Sequence, residues 1–476
     1  MGMGHDAISR RSFVKTLGAG AASTVLMPEL FAAPGRGGQR PDVLFIAIED
    51  VSPHRFGCWG NAICKTPHID RLVSQGLRFD QAHCNAAVCN PSRTALLTCL
   101  RPDTTKVYGN RDNWQKLAPQ AQSMPAHFRK HGYETVRIGK VFHAAFEHKA
   151  SWSRVIKPND GLPKPKGKGG ARKGPGVEYA KLVKAGKAKK RGSPFIWSAT
   201  DQADIDTKDG RYAEQAIRVL AEQRDKPLFL ALGQHATHLA WAAPKKYFDM
   251  YPPAGIPLPK LPADERKEKI HPDHKALTPE TWREAIAAHY ACLTFIDAQV
   301  GRVLDALEKS GRADNTIVVL WSDHGYMLGE HYLWRKPHMY DTCTRVALTM
   351  KAPGVTKPGS VCERPVETFD IFPTLFDLCG IPQPESMEAV SMRPLLADPQ
   401  RQWRPCARTE QGTAKSVRTE RWRYTERKSG RTELFDYATD PEELHNLAGA
   451  PKHAEREADL RKLLHASWRE LLPRGA

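Results

Sequence analysis

The chain has 476 residues, with 71 Lys and Arg against 53 Asp and Glu, a formal net charge of +18, and 41% hydrophobic residues. That length is too great for one small core and suits a large domain with a smaller one, and the composition is ordinary for a soluble globular protein. The charge does not mark a general binder of polyanions, because Arg154 to Arg191 alone holds thirteen Lys and Arg against Asp160 and Glu178. Ten Cys contain no C-x-x-C zinc pattern; Cys58 and Cys64 could pair in an oxidising compartment, which spacing alone does not establish.

The N-terminus reads Ser9-Arg10-Arg11-Ser12-Phe13-Val14-Lys15, followed by a weakly apolar run from Thr16 to Met27. An Arg pair ahead of a short apolar run resembles a twin-arginine export signal, here residues 1–33, with cleavage expected near Ala32-Ala33. The blander reading is a disordered basic tail. The run is too short to span a bilayer, so no stable membrane insertion is expected. The resemblance implies the twin-arginine export machinery as a partner and a periplasmic or secreted location. Because that route carries folded proteins, any covalent maturation precedes export.

From Arg40 the chain alternates strand and helix. Val43 to Ile48 is six apolar residues closed by Glu49-Asp50, the pattern of a parallel strand buried on both faces. Thr66-Pro67 then predicts a helix start with Thr66 as N-cap and Gly76 as the stop. A second helix is expected from Met124 to His131, then a strand from Glu134 to Ile138 leading into Gly139-Lys140-Val141-Phe142-His143. Residues 151–194, rich in Gly, Pro and Lys, read as a solvated or disordered insertion, with a basic arm for a polyanionic substrate as the sharper reading. No nucleic-acid motif accompanies it, and no nucleic-acid partner is expected. Pro227 to Leu232 is another buried strand, ending at Gly233-Gln234-His235-Ala236-Thr237-His238. A long helix runs from Pro279 to Ser310 with apolar residues at three- and four-residue spacing. Thr316 to Trp321 is a strand ending in Ser322-Asp323-His324-Gly325. Past Asp398, residues 399–476 read as a small antiparallel α+β subdomain attached to a catalytic domain of residues 40–398.

Between these elements lies Val88-Cys89-Asn90-Pro91-Ser92-Arg93, where a loop of small residues becomes a helix-like run. Pro suits a first helical turn, so Cys89 is expected at a helix N-terminus, beside exposed amides and Arg93. Read blandly, Cys89 is a buried structural thiol. Four strand ends, Glu49-Asp50, Lys140 with His143, His238, and Asp323-His324, carry polar groups, and ligands in open α/β sheets bind outside the carboxyl ends of strands. Together with the Cys motif, these make coincidence a poor explanation.

The pattern Cys-x-Pro-Ser-Arg resembles the modification signature of type I sulfatases of the alkaline-phosphatase superfamily. Arg101-Pro-Asp-Thr-Thr105, Gly139-Lys-Val-Phe-His143 and Ser322-Asp-His-Gly-Tyr-Met-Leu-Gly-Glu-His331 with Trp334-Arg-Lys336 are most similar to the iduronate-2-sulfatase-like branch. The likeness runs from Arg40 to about residue 472. It implies an α/β fold, a mixed, mostly parallel sheet between helices, and hydrolysis of O-sulfate from a carbohydrate such as a 2-O-sulfated uronic acid. It also implies formylglycine made from Cys89 by a modifying enzyme, and one divalent cation, Ca²⁺, at Glu49, Asp50, Asp323, His324 and residue 89. In that picture Lys140, His143 and Lys336 bind sulfate oxygens, Arg93 orients the modified residue, and His238 protonates the leaving alcohol. Two departures stand out: Glu49 where the family usually has Asp, and Ala236-Thr237 where the branch often has Lys-Pro. The rival readings are a phosphodiester or phosphonate monoester hydrolase of the same superfamily, and a catalytically silent binder of sulfated glycans.

Overall fold

The computed structural model describes residues 40–472, apart from 168–169, 171–172, 174–175, 178–180, 182–194 and 263–269. The segment read as an export signal and most of the basic insertion lie outside the described residues. Within them the central sheet has eight strands: β1 (Asp42–Ile48), β2 (Leu77–Phe79), β3 (Glu134–Gly139), β4 (Arg154–Ile156), β5 (Leu228–Gln234), β6 (Thr316–Ser322), β7 (Leu348–Lys351) and β8 (Ser360–Cys362). Their order is β8-β2-β7-β6-β1-β5-β3-β4. Only β7 runs against its neighbours, β2 and β6, so the sheet is mixed and mostly parallel. Every residue of β1, β5 and β6 is buried, as continuous apolar runs covered on both faces require. Alternation divides β1 between two cores: Leu44, Ile46 and Ile48 join one, and Val43, Phe45 and Ala47 the other.

On the first face pack α1 (Pro67–Gln75), α4 (Lys208–Ala221) and α5 (Pro279–Lys309); on the second pack α2 (Cys89–Thr98), α3 (Met124–Lys130) and α6 (Ile371–Leu378). The 31-residue α5 buries Ile286, Leu293, Ile296, Val300 and Val303, at about 1.5–3 kcal/mol per large apolar side chain before entropy is counted. Two local expectations change. Thr66 does not cap α1: its hydroxyl bonds Asp70, and Asp297 of α5 accepts from Ile69 N (2.7 Å) and His68 N (3.3 Å) instead. The stretch from Ser151 is not all insertion either, because Arg154–Ile156 pairs in parallel with β3 and Trp152 is buried. Charged neighbours hide this three-residue edge strand in the sequence. All ten Cys, Cys58 and Cys64 included, are free thiols.

The C-terminal region forms a second, antiparallel sheet in the order β9 (Ala407–Gln411), β10 (Ala414–Arg418), β11 (Trp422–Arg427), β12 (Thr432–Asp436), covered by α7 (Ala454–His465). It is anchored to the loop ahead of Cys89: Glu410 N donates to Asn85 O (2.8 Å) and Thr409 Oγ1 to Cys84 O (2.7 Å). No helix among the described residues is long and apolar enough to cross a membrane.

Candidate active site

Since β1, β3, β5 and β6 are mutually parallel, their carboxyl ends share one edge of the sheet. Two glycines let β3 and β5 approach there. Gly139 has φ +75°, and a Cβ on it would stand 2.0 Å from Gly233 O; one on Gly233 would stand 1.9 Å from Lys140 O. The ends of β1 and β6 are tied by Asp323 N to Ile48 O (3.1 Å) and Val51 N to His324 O (3.1 Å). Asp50 adopts φ 51°, a left-handed conformation that Asp tolerates better than most residues. Its N donates to Asp323 Oδ1 (3.1 Å).

Cys89 is the first residue of α2, after extended Val88, with Pro91 in the first turn. Its Sγ lies 3.2 Å from His324 Nε2 and 3.2 Å from Lys336 Nζ. Burial pushes its thiol up to about 12 against the opposing pull of Lys336, so the unmodified side chain is a poor nucleophile at neutral pH. Arg93, fully buried, clamps the strand ends: Nε donates to Asp323 Oδ2 (3.0 Å), and Nη1 to Lys140 O (2.8 Å) and Val141 O (2.9 Å). Lys336 pairs with Asp50. Burial alone would depress it, but Asp50 and Cys89 hold its ammonium above the ordinary lysine value.

Asp50, Cys89, Asp323 and His324 each present a ligand atom within 4.8 Å of the others. His324 Nδ1 donates to Gly325 O (2.9 Å), which leaves Nε2 with its lone pair directed among Cys89 Sγ, Asp50 Oδ1 (3.5 Å) and Asp323 Oδ1 (3.6 Å). A neutral imidazole fixed by a backbone carbonyl, its other nitrogen facing carboxylates, has the arrangement of a metal ligand.

Glu49, the remaining expected ligand, lies outside this group of four. Its carboxylate, fully buried, meets Lys140 and His235 and stands 3.5 Å from Arg93 Nη2. Those partners set the carboxylate against the ends of β3 and β5. Lys140 is depressed to about 8 by burial, and His143 to about 4 by burial with Lys140 and Arg93 adding repulsion. His238 falls to about 2, chiefly by burial. Its Nδ1 donates to Leu239 O, so Nε2 is the lone-pair nitrogen and must gain a proton before it can give one. His235, which sequence reasoning passed over, stacks on His238 with ring centroids 5.0 Å apart. The available signal was its place in the same strand-end run, three residues before His238.

The fold is alkaline-phosphatase-like. A solved complex with D-glucosamine-2-N,6-O-disulfate shares it at a TM-score of 0.72 and 20% identity, covering 91% of this chain and 99% of that one. The Sulfatase family model matches residues 41–381, and a model for the C-terminal part of N-sulphoglucosamine sulphohydrolase matches residues 329–470. The chain belongs to the sulfatase family, and is thus a sulfuric ester hydrolase. Among its relatives, a sulfatase of Formosa agariphila is 32% identical over 90% of this chain and 88% of its own. The iduronate 2-sulfatase of Mus musculus is 31% identical over 72% and 69%.

Proposed function

We propose that this chain removes O-sulfate from a sulfated carbohydrate, with a 2-O-sulfated uronic acid in a polysaccharide or its fragments as the favoured substrate, after export to the periplasm or medium. The observation that carries the reading is the convergence on Cys89 of a helix N-terminus, Lys336 and His324, beside the carboxylates of Asp50 and Asp323. Similarity to an iduronate 2-sulfatase supports the choice of sugar.

The donor set fits a divalent cation, held by Asp50, Asp323, His324 and residue 89, with oxygen donors favouring a hard ion such as Ca²⁺. Cys89 fits conversion to formylglycine, because the motif is complete and the thiol itself is held protonated. Once in place, the aldehyde hydrate supplies the attacking oxygen, and the cation supplies positive charge for that oxygen and the sulfate.

The chain's own residues do the remaining work. Lys336 and Lys140 bring two ammonium groups to the sulfate oxygens, where positioning and charge stabilisation dominate such displacements. Glu49 holds Lys140 and His235 in place. Arg93 fixes the ends of β3 and β6 to α2, and so orients residue 89. Nε2 of His238 takes a proton when the anionic ester arrives and passes it to the leaving alcohol. His143, kept neutral, accepts a proton during regeneration of the site.

Co-expression with a formylglycine-generating enzyme, followed by assay on defined 2-O-, 4-O- and 6-O-sulfated disaccharides beside bis-p-nitrophenyl phosphate, tests this reading. Faster sulfate release from the 2-O-sulfated uronate than from its isomers is expected. Faster cleavage of the phosphodiester than of every sulfate ester would replace it with the phosphohydrolase reading.

A further inference from the structure

The turn that leaves β5 is tied to the end of β1. His238 N donates to His235 O (2.9 Å), and Thr237 Oγ1 donates to Glu49 O (2.7 Å). Both departures from the family pattern, at residue 49 and at residues 236–237, therefore meet at this turn.

Within it, His235 is held at two points. Its backbone N donates to Asp209 Oδ1 on α4, and its ring Nδ1 meets Glu49. A carboxylate oxygen can only accept, so Nδ1 carries the ring proton. Asp209 is 5% exposed and Glu49 fully buried, and breaking either contact would leave a buried acid short of a donor. The plane of the His235 ring is thus set by groups on β1 and α4.

Against this fixed plane lies His238, with ring centroids 5.0 Å apart and the planes 14° from parallel. Among the described residues, the side-chain hydrogen bond that His238 makes runs from Nδ1 to the carbonyl of Leu239, the next residue. A partner one residue away moves with the same turn. It sets the tautomer but gives the ring no reference outside the turn, whereas the face of His235 does.

We infer that His235 is a positioning residue, whose ring, anchored by Glu49 and Asp209, holds the His238 imidazole in the plane from which Nε2 reaches the leaving alcohol. The inference rests on the reading of His238 as proton donor. As the bond from sulfur to the leaving oxygen breaks, the proton moves from Nε2 to that oxygen, and the alcohol departs neutral. Glu49 then serves both sides of the reaction, Lys140 at the sulfate and, through His235, the donor at the alcohol.

An ester whose leaving group departs as a stable anion depends least on that proton. Turnover of p-nitrophenyl sulfate, compared with that of the sulfated disaccharide cleaved fastest, therefore isolates the donor. In chain with residue 89 converted, kcat of His235→Ala should fall at least tenfold more on the sugar ester than on the aryl ester, since misplacing a reacting group by about 1 Å can cost about a hundredfold. His238→Ala should show the same asymmetry more strongly. Disturbance of Lys140 through Glu49, or a merely structural role, would slow both esters alike. His235→Asn keeps a donor for Glu49 without the ring; it should show the asymmetry too, and serves if His235→Ala does not fold. Equal losses on the two esters in the His235 variants, with the asymmetry present in His238→Ala, overturn the positioning role and leave the donor standing. Equal losses in His238→Ala overturn the donor, and the role of His235 with it. Turnover of neither ester by the unaltered, converted chain removes the sulfatase reading itself, and both roles with it.

Discussion

Glu49 is the residue whose placement most changes the chemistry. In the sequence it stands where the family usually has an Asp, and adjacency to Asp50 makes it look like a metal carboxylate. In the folded chain its oxygens are taken by Lys140 and His235, partners 91 and 186 residues away, which no local pattern could show. Glu49→Gln should therefore leave one divalent cation per chain, counted by elemental mass spectrometry, while kcat falls about tenfold or more as Lys140 loses its anchor. Loss of the metal in that variant would return Glu49 to the ligand set. The other proposed site residues apart from Lys336, which only the family resemblance pointed to, were legible because each sits at a strand end or in the Cys motif, signals that survive in one dimension. His235 was not, since a His near a strand end is ordinary until its ring is seen stacked on His238 and its nitrogen against Glu49.

The elements were legible wherever periodicity is long. β1, β5, β6 and the whole of α5 follow from apolar runs and three- and four-residue spacing, whereas the strand Arg154–Ile156 is too short and too charged to stand out. Helix starts depend on tertiary partners as much as on local caps, as α1 shows: Asp297 supplies from α5 what Thr66 was expected to give. That carboxyl is raised to about 7 by burial, its two backbone N–H bonds opposing the rise. A raised carboxyl means that the folded chain binds the proton more tightly than the unfolded chain. The stability it contributes is complete below about pH 4 and is lost as pH rises through about 7, on the order of 4 kcal/mol. Asp297→Asn keeps an acceptor for Ile69 N without the charge. The melting-temperature advantage of the unaltered protein over this variant should then shrink, or reverse, between pH 5 and pH 8. A difference that does not change with pH would show that the Asp297 carboxyl is not raised in the folded chain and is ionised across that range.

At the scale of the molecule, the C-terminal sheet braces the site that the parallel sheet builds. The sequence marked it as a change of character after Asp398 but could not show where it leans. Buried Glu367 stands at the junction, accepting from Asn85 Nδ2 (2.9 Å) and Arg408 N (2.8 Å) and pairing with Arg101 (2.8 Å). Asn85 leads directly into the loop that presents Cys89. Glu367→Ala leaves Arg101 buried without its carboxylate, and should cost about 3–5 kcal/mol in denaturant unfolding. It should also lower kcat, and full activity in a destabilised variant would mean that the brace serves stability alone.

The strand ends, Lys336 and the C-terminal brace all meet at residue 89, so the most direct measurement is inorganic sulfate released from a 2-O-sulfated uronate disaccharide by chain co-expressed with the modifying enzyme, compared with Cys89→Ala prepared the same way. The account predicts steady release by the first and none above background by the second, with both folded. Equal release by Cys89→Ala, or none by protein whose residue 89 is shown by peptide mass to be converted, would contradict it.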